Sequence, residues 1–537
     1  MRQHILSILL IACLSALLLS SLFHPGFMYT HDSLWHVERL QNLVSLIRSQ
    51  FPVRWSPTLD NGYGLPLFNF TYPMPYYLGA VFMFMGLGPV KTYYLLLYLA
   101  YFAGGVGVYF LARKRLLGLL AGLLYLLTPY QFLDIFVRGA LGEVLALGII
   151  PWVIWSYQQI SRSGKLSWYS PIPFALLLLS HNFYAYLFTG LLFAFTLALY
   201  NHKVKILHSF LLSLALASFF ILPAFFEKSS LLSAQMPGQN IETHFVYPKQ
   251  LVYSPWSYLG SLSGESPVEM SFQLGLANII VICLAVFLAL SRLLARRPLR
   301  SLWLYLALYS FVIFMMLSPS LWFWHHLPLL ASIQFPWRFL GVTTILTVLI
   351  FLELEKQFGH KHYPKFITFA CLLVALACFN TRNYLRPVKW LDEAEFLSLH
   401  YEYVGKTTTA HRDELVPRWA PAERYLPQND LVLTSGVELL ELNQSSLKLT
   451  FSATAGDEGV AIYHRNYYPM WNLTIDGKSA PLTPTSTGEI TFPLLPGEHQ
   501  YNLQIQSTFL QKLGNLISLF SLFGLVIYFY INHKRQA

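Results

Sequence analysis

The sequence predicts a mainly α-helical, polytopic membrane protein of about twelve spanning helices, with an extracytoplasmic β-sandwich domain near its C-terminus. Three observations predict this. The 537 residues are 55% hydrophobic and only 12% charged, about half the charged share of a typical soluble domain. Apolar runs of spanning length recur along the chain, with basic residues at alternate turns. After residue 381 the texture changes: Thr, Asn, Gly and Pro return, and apolar residues begin to alternate. A mean hydropathy of +0.47 excludes a cytosolic enzyme, a disordered chain and a nucleic-acid-binding domain. The net charge of +10 therefore marks cytoplasmic turns and not a phosphate-backbone footprint.

A spanning helix needs about 20 apolar residues. Candidate runs fall near 4–23, 92–111, 116–133, 141–159, 168–181, 183–200, 206–225, 272–290, 301–318, 336–354, 365–380 and 508–531. No small-x-small cleavage site follows the first run, so it reads as an uncleaved helix and not a signal peptide. Cys13, Cys283, Cys371 and Cys378 all sit inside apolar runs and suggest neither a disulfide framework nor a thiolate metal site.

With the N-terminus inside, the cytoplasmic turns collect Arg113-Lys114-Arg115, Arg162 and Lys165, Lys203 and Lys205, Arg292-Arg296-Arg297-Arg300, Lys356-Lys361-Lys365 and Lys534-Arg535. Every such turn is basic, so both termini are placed in the cytoplasm. The apolar stretch Tyr76 to Leu87 is left out of the count. It is short and flanked by Pro73, Pro75, Gly86, Gly88 and Pro89, and reads as a helix in the outer interface or partly re-entering.

The expected division is a membrane domain over 1–381 with a large outer loop at 24–91, an extracytoplasmic β-rich domain over 382–507, and a final span with a cytoplasmic tail over 508–537. Within the β-rich part, Ser446 to Ser452 alternates with period two. Asp476-Gly477 is a hairpin signal, and Pro496-Gly497 is a second turn.

Ionisable residues near the outer helix ends are functional candidates. Asp32 follows the first span in Thr30-His31-Asp32-Ser33-Leu34-Trp35-His36-Val37-Glu38, at the start of a predicted amphipathic helix. It reads either as an acid that takes a proton from an acceptor hydroxyl or as a helix N-cap. His31, Asp32, His36 and Glu38 also make a divalent metal conceivable, with His31 and His36 the weak candidates, though no known ligand spacing is matched.

The loop from Phe51 to Pro75 interleaves Pro, Gly and aromatics with Arg54 and Asp60. It is expected to be ordered and flat-faced, suited to a sugar or a lipid headgroup, or to form an aromatic interfacial belt. Asp134, Arg138 and Glu143 crowd the second outer turn. There Arg138 either pairs with Glu143 or holds a phosphate. His181-Asn182 is a proton shuttle or a hydrogen-bonded turn pair. Arg338, behind Phe335-Pro336-Trp337, either faces a lipid phosphate or snorkels to the interface. Asp32, Arg54, Arg138, Glu143, His181 and Arg338 all fall on one side of the expected topology.

Several of these segments together resemble a bacterial membrane family. They are Asp32 after the first span, Gly62-Tyr-Gly-Leu-Pro66, Val137-Arg-Gly-Ala-Leu-Gly-Glu143, Ser180-His-Asn182, Ile333-Gln-Phe-Pro-Trp-Arg338 and Tyr467-Tyr-Pro-Met-Trp-Asn-Leu-Thr-Ile-Asp-Gly477. The family is the 6-pyruvoyl-tetrahydropterin synthase-related group, close to the YfhO-like proteins. No soluble zinc-binding pterin-synthase domain is present in the sequence.

The resemblance implies instead the GT-C glycosyltransferase architecture. Such enzymes use a polyprenyl-phosphate-linked sugar and an acidic residue in the first outer loop, here Asp32. Where many GT-C enzymes carry Asp-Glu or Asp-x-Asp, this sequence has His31 and Ser33 beside Asp32. The implied partners are the lipid-linked donor, membrane lipids and a glycan or lipid acceptor on the outer face of a bacterial inner membrane. Arg54, Arg138, Glu143, His181 and Arg338 would serve the donor site. A transporter or non-catalytic envelope assembly factor is the other reading, against which no inverted repeat is visible.

Overall fold

Because lipid offers no hydrogen bonds, an apolar run that crosses it has to close its backbone bonds within a helix. In the computed structural model, each of the twelve apolar runs contains helix. The structure describes residues 2–234, 241–261, 269–297, 299–327, 330, 333–399, 414–420 and 429–536. Parts of the expected outer pieces at 226–271, 319–335 and 382–507 lie outside the described residues. The protein is mainly helical, with several candidate spans and a β-sheet region near the C-terminus.

The helices depart from twelve uniform spans in length and straightness. Among the described residues six are long and apolar enough to cross a bilayer: Pro89–Leu111, Leu141–Ser163, Leu276–Leu294, Pro336–Phe358, Lys361–Thr381 and Phe509–Ile531. Three further candidates are pairs bent at a short break: Arg115–Leu126 with Pro129–Arg138 by 53°, Lys203–Leu216 with Ser218–Phe226 by 74°, and Arg300–Met316 with Ser318–His326 by 91°. Pro129 and Pro319 stand just past two of these breaks, where a missing N–H and a fixed φ favour a new helix start.

The helix Met74–Phe84 has 11 residues. It is about 16 Å long, near half the hydrocarbon thickness. Helical geometry runs without interruption over Leu340–Thr381, yet the rings of Phe351 and Phe366 lie 5.2 Å apart. Fifteen residues of straight helix would separate them by about 22 Å. The run therefore doubles back, and Lys114 reaches Glu355 at 2.6 Å and covers the Tyr363 ring beside that turn.

Contacts divide the chain into two compact units. One comprises Met1–Leu34, Val81–Ser213 and Gly238–Glu393, and the other Trp35–Ala80, Leu214–Pro237 and Ala394–Ala537. In the first unit, Pro89–Leu111 and Leu141–Ser163 pack through glycines. A Cβ on Gly148 would stand 2.4 Å from the Ala100 carbonyl oxygen, and one on Gly104 would stand 3.4 Å from the Gly148 Cα. Small residues let membrane helices approach this closely. Pro151 interrupts Leu141–Ser163 and cannot donate to the Leu147 carbonyl four residues back. The Tyr125 hydroxyl donates to that carbonyl at 2.7 Å. Strand β1 (Phe27–Tyr29) pairs antiparallel with β2 (Lys389–Leu391), Phe27 opposite Leu391.

The second unit holds the remaining strands: β3 (Leu431–Leu433), β4 (Val437–Ser445), β5 (Lys448–Ala455), β6 (Gly459–Asn466), β7 (Trp471–Ile475), β8 (Lys478–Ala480), β9 (Thr483–Pro484), β10 (Glu489–Leu494) and β11 (Gly497–Ile505). They form a four-stranded sheet in the order β3-β6-β10-β9 and a five-stranded sheet in the order β4-β5-β11-β7-β8. The period-two pattern is met in β5, where Leu449, Phe451, Ala453 and Ala455 are buried. Rings join the two sheets, with Phe492 of β10 at 6.1 Å from Phe451 and 6.2 Å from Tyr501.

Asp476 and Gly477 both take positive φ, 50° and 79°, as a two-residue hairpin of the favoured twist requires, and they link β7 to β8. The Asp476 carboxylate accepts from the Gln500 amide at 2.9 Å and lies 2.6 Å from His499 Nδ1. The final helix, Phe509–Gln536, touches Ser218–Phe226 where a Cβ on Gly514 would stand 2.5 Å from the Ser218 carbonyl oxygen.

Two outcomes follow for stability. Gly148→Val drives two methyls into the Ala100 backbone and is expected to lower stability in detergent by about 1–3 kcal/mol or more, read as a fall in the thermal midpoint. At the hairpin, the Gln500 amide and then His499 hold Asp476 below its ordinary value, and Asp476 and then the Pro496 carbonyl hold His499 above its own. The Asp476 contribution is present above about pH 4 and is lost as pH falls. The His499 contribution is present below about pH 6.5 and is lost as pH rises through its folded value. Protection of the Gln500 amide from hydrogen exchange should therefore be greatest between these limits.

Candidate functional site

In the first unit a buried carboxylate gathers side chains from three separated stretches of sequence. Glu143 stands in the first turn of Leu141–Ser163 and is 1% exposed. Arg138 clasps it bidentately, Nη2 to Oε1 at 2.8 Å and Nη1 to Oε2 at 2.8 Å. Arg338 Nε lies 3.0 Å from Oε1, His181 Nε2 lies 3.7 Å from the same oxygen, and the Tyr130 hydroxyl donates to Oε2 at 3.1 Å. Arg138 Nη1 also donates to Asp134 Oδ1 at 2.6 Å. Two carboxylates and two guanidiniums thus neutralise one another, the arrangement that makes charge tolerable away from water. The Trp337 ring covers Arg138 at 4.7 Å, and Phe335 faces Arg338 at 5.1 Å.

The geometry depends on an unusual backbone. Leu133–Arg138 is a π-helix that ends on Gly139 in the left-handed conformation. Such widened turns occur mostly as local irregularities in helices and frequently at functional sites. This one sets Arg138 and Asp134 beside Glu143 and leaves the Val137 and Arg138 carbonyls to accept from another segment. His31 N–H donates to the Val137 carbonyl at 3.1 Å and Asp32 N–H to the Arg138 carbonyl at 2.8 Å. A Cβ on Gly139 would stand 2.1 Å from Thr30 Oγ1 and 2.7 Å from the Tyr93 hydroxyl, so only glycine allows this approach.

Asp32 opens the helix Ser33–Leu46, but its carboxylate does not cap it. The Ser33 amide donates to Thr30 Oγ1 at 3.2 Å, and Ser33 Oγ donates to the Met28 carbonyl. Asp32 is half-exposed, and among the described residues its carboxylate has no hydrogen-bond or ion-pair partner. Arg338 is likewise open at its outer end: no acceptor among the described residues takes its terminal amino groups. Thus Arg138, Glu143, His181 and Arg338 meet in one cluster, and Asp32 joins it through the backbone of Arg138.

Arg54 belongs to the other unit. It is 2% exposed, donating to Asn69 Oδ1 at 3.2 Å, the Phe219 carbonyl at 2.7 Å and Asn515 Oδ1 at 3.0 Å. Burial pushes its guanidinium down to about 10, which leaves it charged. The Phe219 carbonyl is freed because Pro223, four residues on, has no N–H. Asn69 also donates to Glu227 Oε2 at 2.8 Å, as does Gln511 at 3.2 Å. The loop from Phe51 to Pro75 is ordered as expected, but Trp55, Tyr63, Phe68 and Phe70 turn inward, while Phe51 stays exposed. Trp55 is fully buried, 5.9 Å from Tyr468 and 6.2 Å from Trp471, so it presents no flat face.

Of the metal candidates, His31 Nε2 lies 3.0 Å from the Tyr258 carbonyl and His36 Nδ1 2.9 Å from the Tyr76 hydroxyl, in different units. Burial pushes Glu38 up to about 7. Among the described residues no three His, Cys, Asp or Glu side chains group to hold a metal.

A family model described as the 6-pyruvoyl-tetrahydropterin synthase related domain, a membrane protein, matches residues 68–385, more than half of the chain. The chain belongs to this membrane protein family. The matched stretch contains Asp134, Arg138, Glu143, His181 and Arg338, while Asp32 and Arg54 precede it. No curated protein sequence matches the chain.

Among solved structures, two crystal structures of the Archaeoglobus fulgidus oligosaccharyltransferase are similar. One is tethered to an acceptor peptide containing the NVT sequon through a disulfide bond (TM-score 0.43, 15% identity, covering 74% of this chain and 57% of that one). The other is a complex with Zn and sulfate (TM-score 0.41, 16% identity, covering 78% and 59%). The chain thus spans less than two thirds of the length of either.

Sequence reasoning had passed over Asp134 as a site residue, although its i,i+4 spacing to Arg138 inside an apolar run was a usable signal. Tyr130 and Trp337 carried none, since aromatics abound in the sequence. The cluster makes the two arginines unequal. Arg138→Gln strands Asp134, leaves Glu143 with Arg338 as its one guanidinium, and is expected to destabilise the protein by about 3–5 kcal/mol. Arg338→Gln leaves Arg138 in place and should cost clearly less, a comparison that thermal unfolding in detergent can make.

Proposed function

We propose that this family member is a GT-C-type membrane glycosyltransferase of the bacterial cytoplasmic membrane. It moves a sugar from a polyprenyl-phosphate-linked donor to a glycan or lipid acceptor on the outer face, with both termini inside. The observation that carries the reading is Asp32: a half-exposed carboxylate without a protein partner among the described residues, anchored by its own amide to the backbone of Arg138. A carboxylate held in place but left unbonded is what a general base requires before substrate arrives.

The roles divide by what each side chain is already bonded to. Arg138 and Glu143 hold one another and form the scaffold. Arg338, held by Glu143 through Nε, offers its terminal amino groups to the donor phosphate, as a guanidinium fork suits. His181 completes the polar wall beside Glu143. In an inverting displacement the acceptor oxygen attacks the anomeric carbon while Asp32 takes the hydroxyl proton. The bond from that carbon to the phosphate oxygen breaks, and the electron pair leaves with the polyprenyl phosphate, whose charge Arg338 meets. The two facing β-sheets are read as a sandwich on the outer side that helps to hold the acceptor.

Asp32→Asn keeps the shape and removes the base. Sugar transfer from a polyprenyl-phosphate donor should fall about 10²–10⁴-fold with an unchanged thermal midpoint. Retention of near-wild-type transfer would exclude Asp32 as the base.

A further inference from the structure

The first unit carries a second feature, at the end of Leu141–Ser163 away from Glu143. From Glu143 to Arg162 along this helix is about 28 Å, so nothing there shares the cluster just described. A groove of about 600 Å³ opens at this end, lined by Tyr200, His202, Lys203, Lys205 and His208 among others. The Asn201 amide ties to Ser161 Oγ at 2.9 Å, and Lys205 Nζ donates to the Gly164 carbonyl. Gly164 takes positive φ, and a Cβ there would stand 2.9 Å from His202 Nε2. The wall of the groove is therefore folded chain held at several points.

Apart from the Tyr200 hydroxyl, the ionisable side chains that line it are all basic. Arg113 and Arg162 are close enough to repel one another. The sequence contains no Asp or Glu from 61 to 133 and none from 144 to 226. The acids Glu355 and Glu353 are already bonded, to Lys114 and to Lys356 with Ser301.

Two further features say what sort of anion fits. Trp155, Trp168 and Tyr169 cluster nearby in sequence, with Tyr169 5.7 Å from Trp155 and 5.8 Å from Trp168. Such amphipathic rings settle at headgroup depth. On the helix that begins at Lys203, Val204, Leu207 and Leu211 are 66%, 44% and 51% exposed, an apolar stripe at helical spacing that starts at the groove.

We propose that this groove binds the phosphate headgroup of an acidic phospholipid, with an acyl chain lying along Val204, Leu207 and Leu211. The shared chemistry is a phosphate oxyanion met by Lys203, Lys205 and the two histidines. The apolar stripe selects a lipid over a soluble phosphate.

The test uses the full-length protein in detergent micelles, titrated with phosphatidylglycerol, phosphatidylcholine or inorganic phosphate while the thermal midpoint is followed. Phosphatidylglycerol should raise the midpoint saturably, and the other two should not. Each lysine near a charged bilayer surface is worth about fivefold in binding. Lys203→Gln should therefore need about fivefold more phosphatidylglycerol, and Lys203→Gln with Lys205→Gln about 25-fold more. If loss of the Lys205 bond to Gly164 prevents folding, the single Lys203→Gln variant decides. Wild-type titration by that variant, or an equal response to phosphatidylcholine, overturns the proposal. A shift reproduced by inorganic phosphate overturns the lipid assignment.

Discussion

A charge or a carbonyl removed from water has to be answered by the protein, and this demand shapes the described structure more than any other. At Glu143 it is met by two guanidiniums and a tyrosine hydroxyl. At Leu147 and Phe219, whose helical donors are replaced by prolines, it is met by Tyr125 and Arg54. Arg138 and Tyr130 answer from nearby, but Arg338, Tyr125 and Arg54 come from other segments of the chain. A local irregularity in one helix therefore fixes where another segment must lie, and polar residues in the apolar stretches act as fasteners between segments.

The same demand separates the arginines that the sequence could not rank. Arg138 and Arg54 have their guanidiniums taken up by internal acceptors, whereas Arg338 uses one edge and leaves its fork open. Asp32 stands apart from Asp134 and Glu143 in the same way. Asp134 and Glu143 are paired, and Asp32 is held by its backbone alone. Chemistry with a substrate needs groups that are positioned yet unsatisfied, and these two fit that description.

Much of this was legible beforehand, and the limits have physical causes. Helical runs, the Asp476-Gly477 hairpin and the alternation in β5 are local, written in spacing and turn chemistry. The meeting of Arg138, Glu143, His181 and Arg338 could be suspected because ionisable groups beside apolar runs need company. Helix lengths and bends were not legible, because hydropathy reports composition and not continuity. Neither was the fate of Arg54, which depends on a carbonyl freed by Pro223 some 170 residues later. The loop from Phe51 to Pro75 misled for a related reason: an aromatic-rich stretch reads alike whether its rings face outward or, as with Trp55, fill a core.

Gly139 shows how far such dependence reaches. It bears no functional group, yet its bare α-carbon lets Thr30 come close enough for the Asp32 amide to reach the Arg138 carbonyl. A single methyl at this point would act as a spacer, prising the acid from the arginines while every reactive atom stayed intact. On the role proposed for Asp32, a codon that specifies no chemistry at all thus governs where the acid stands, and a survey confined to charged residues would overlook it.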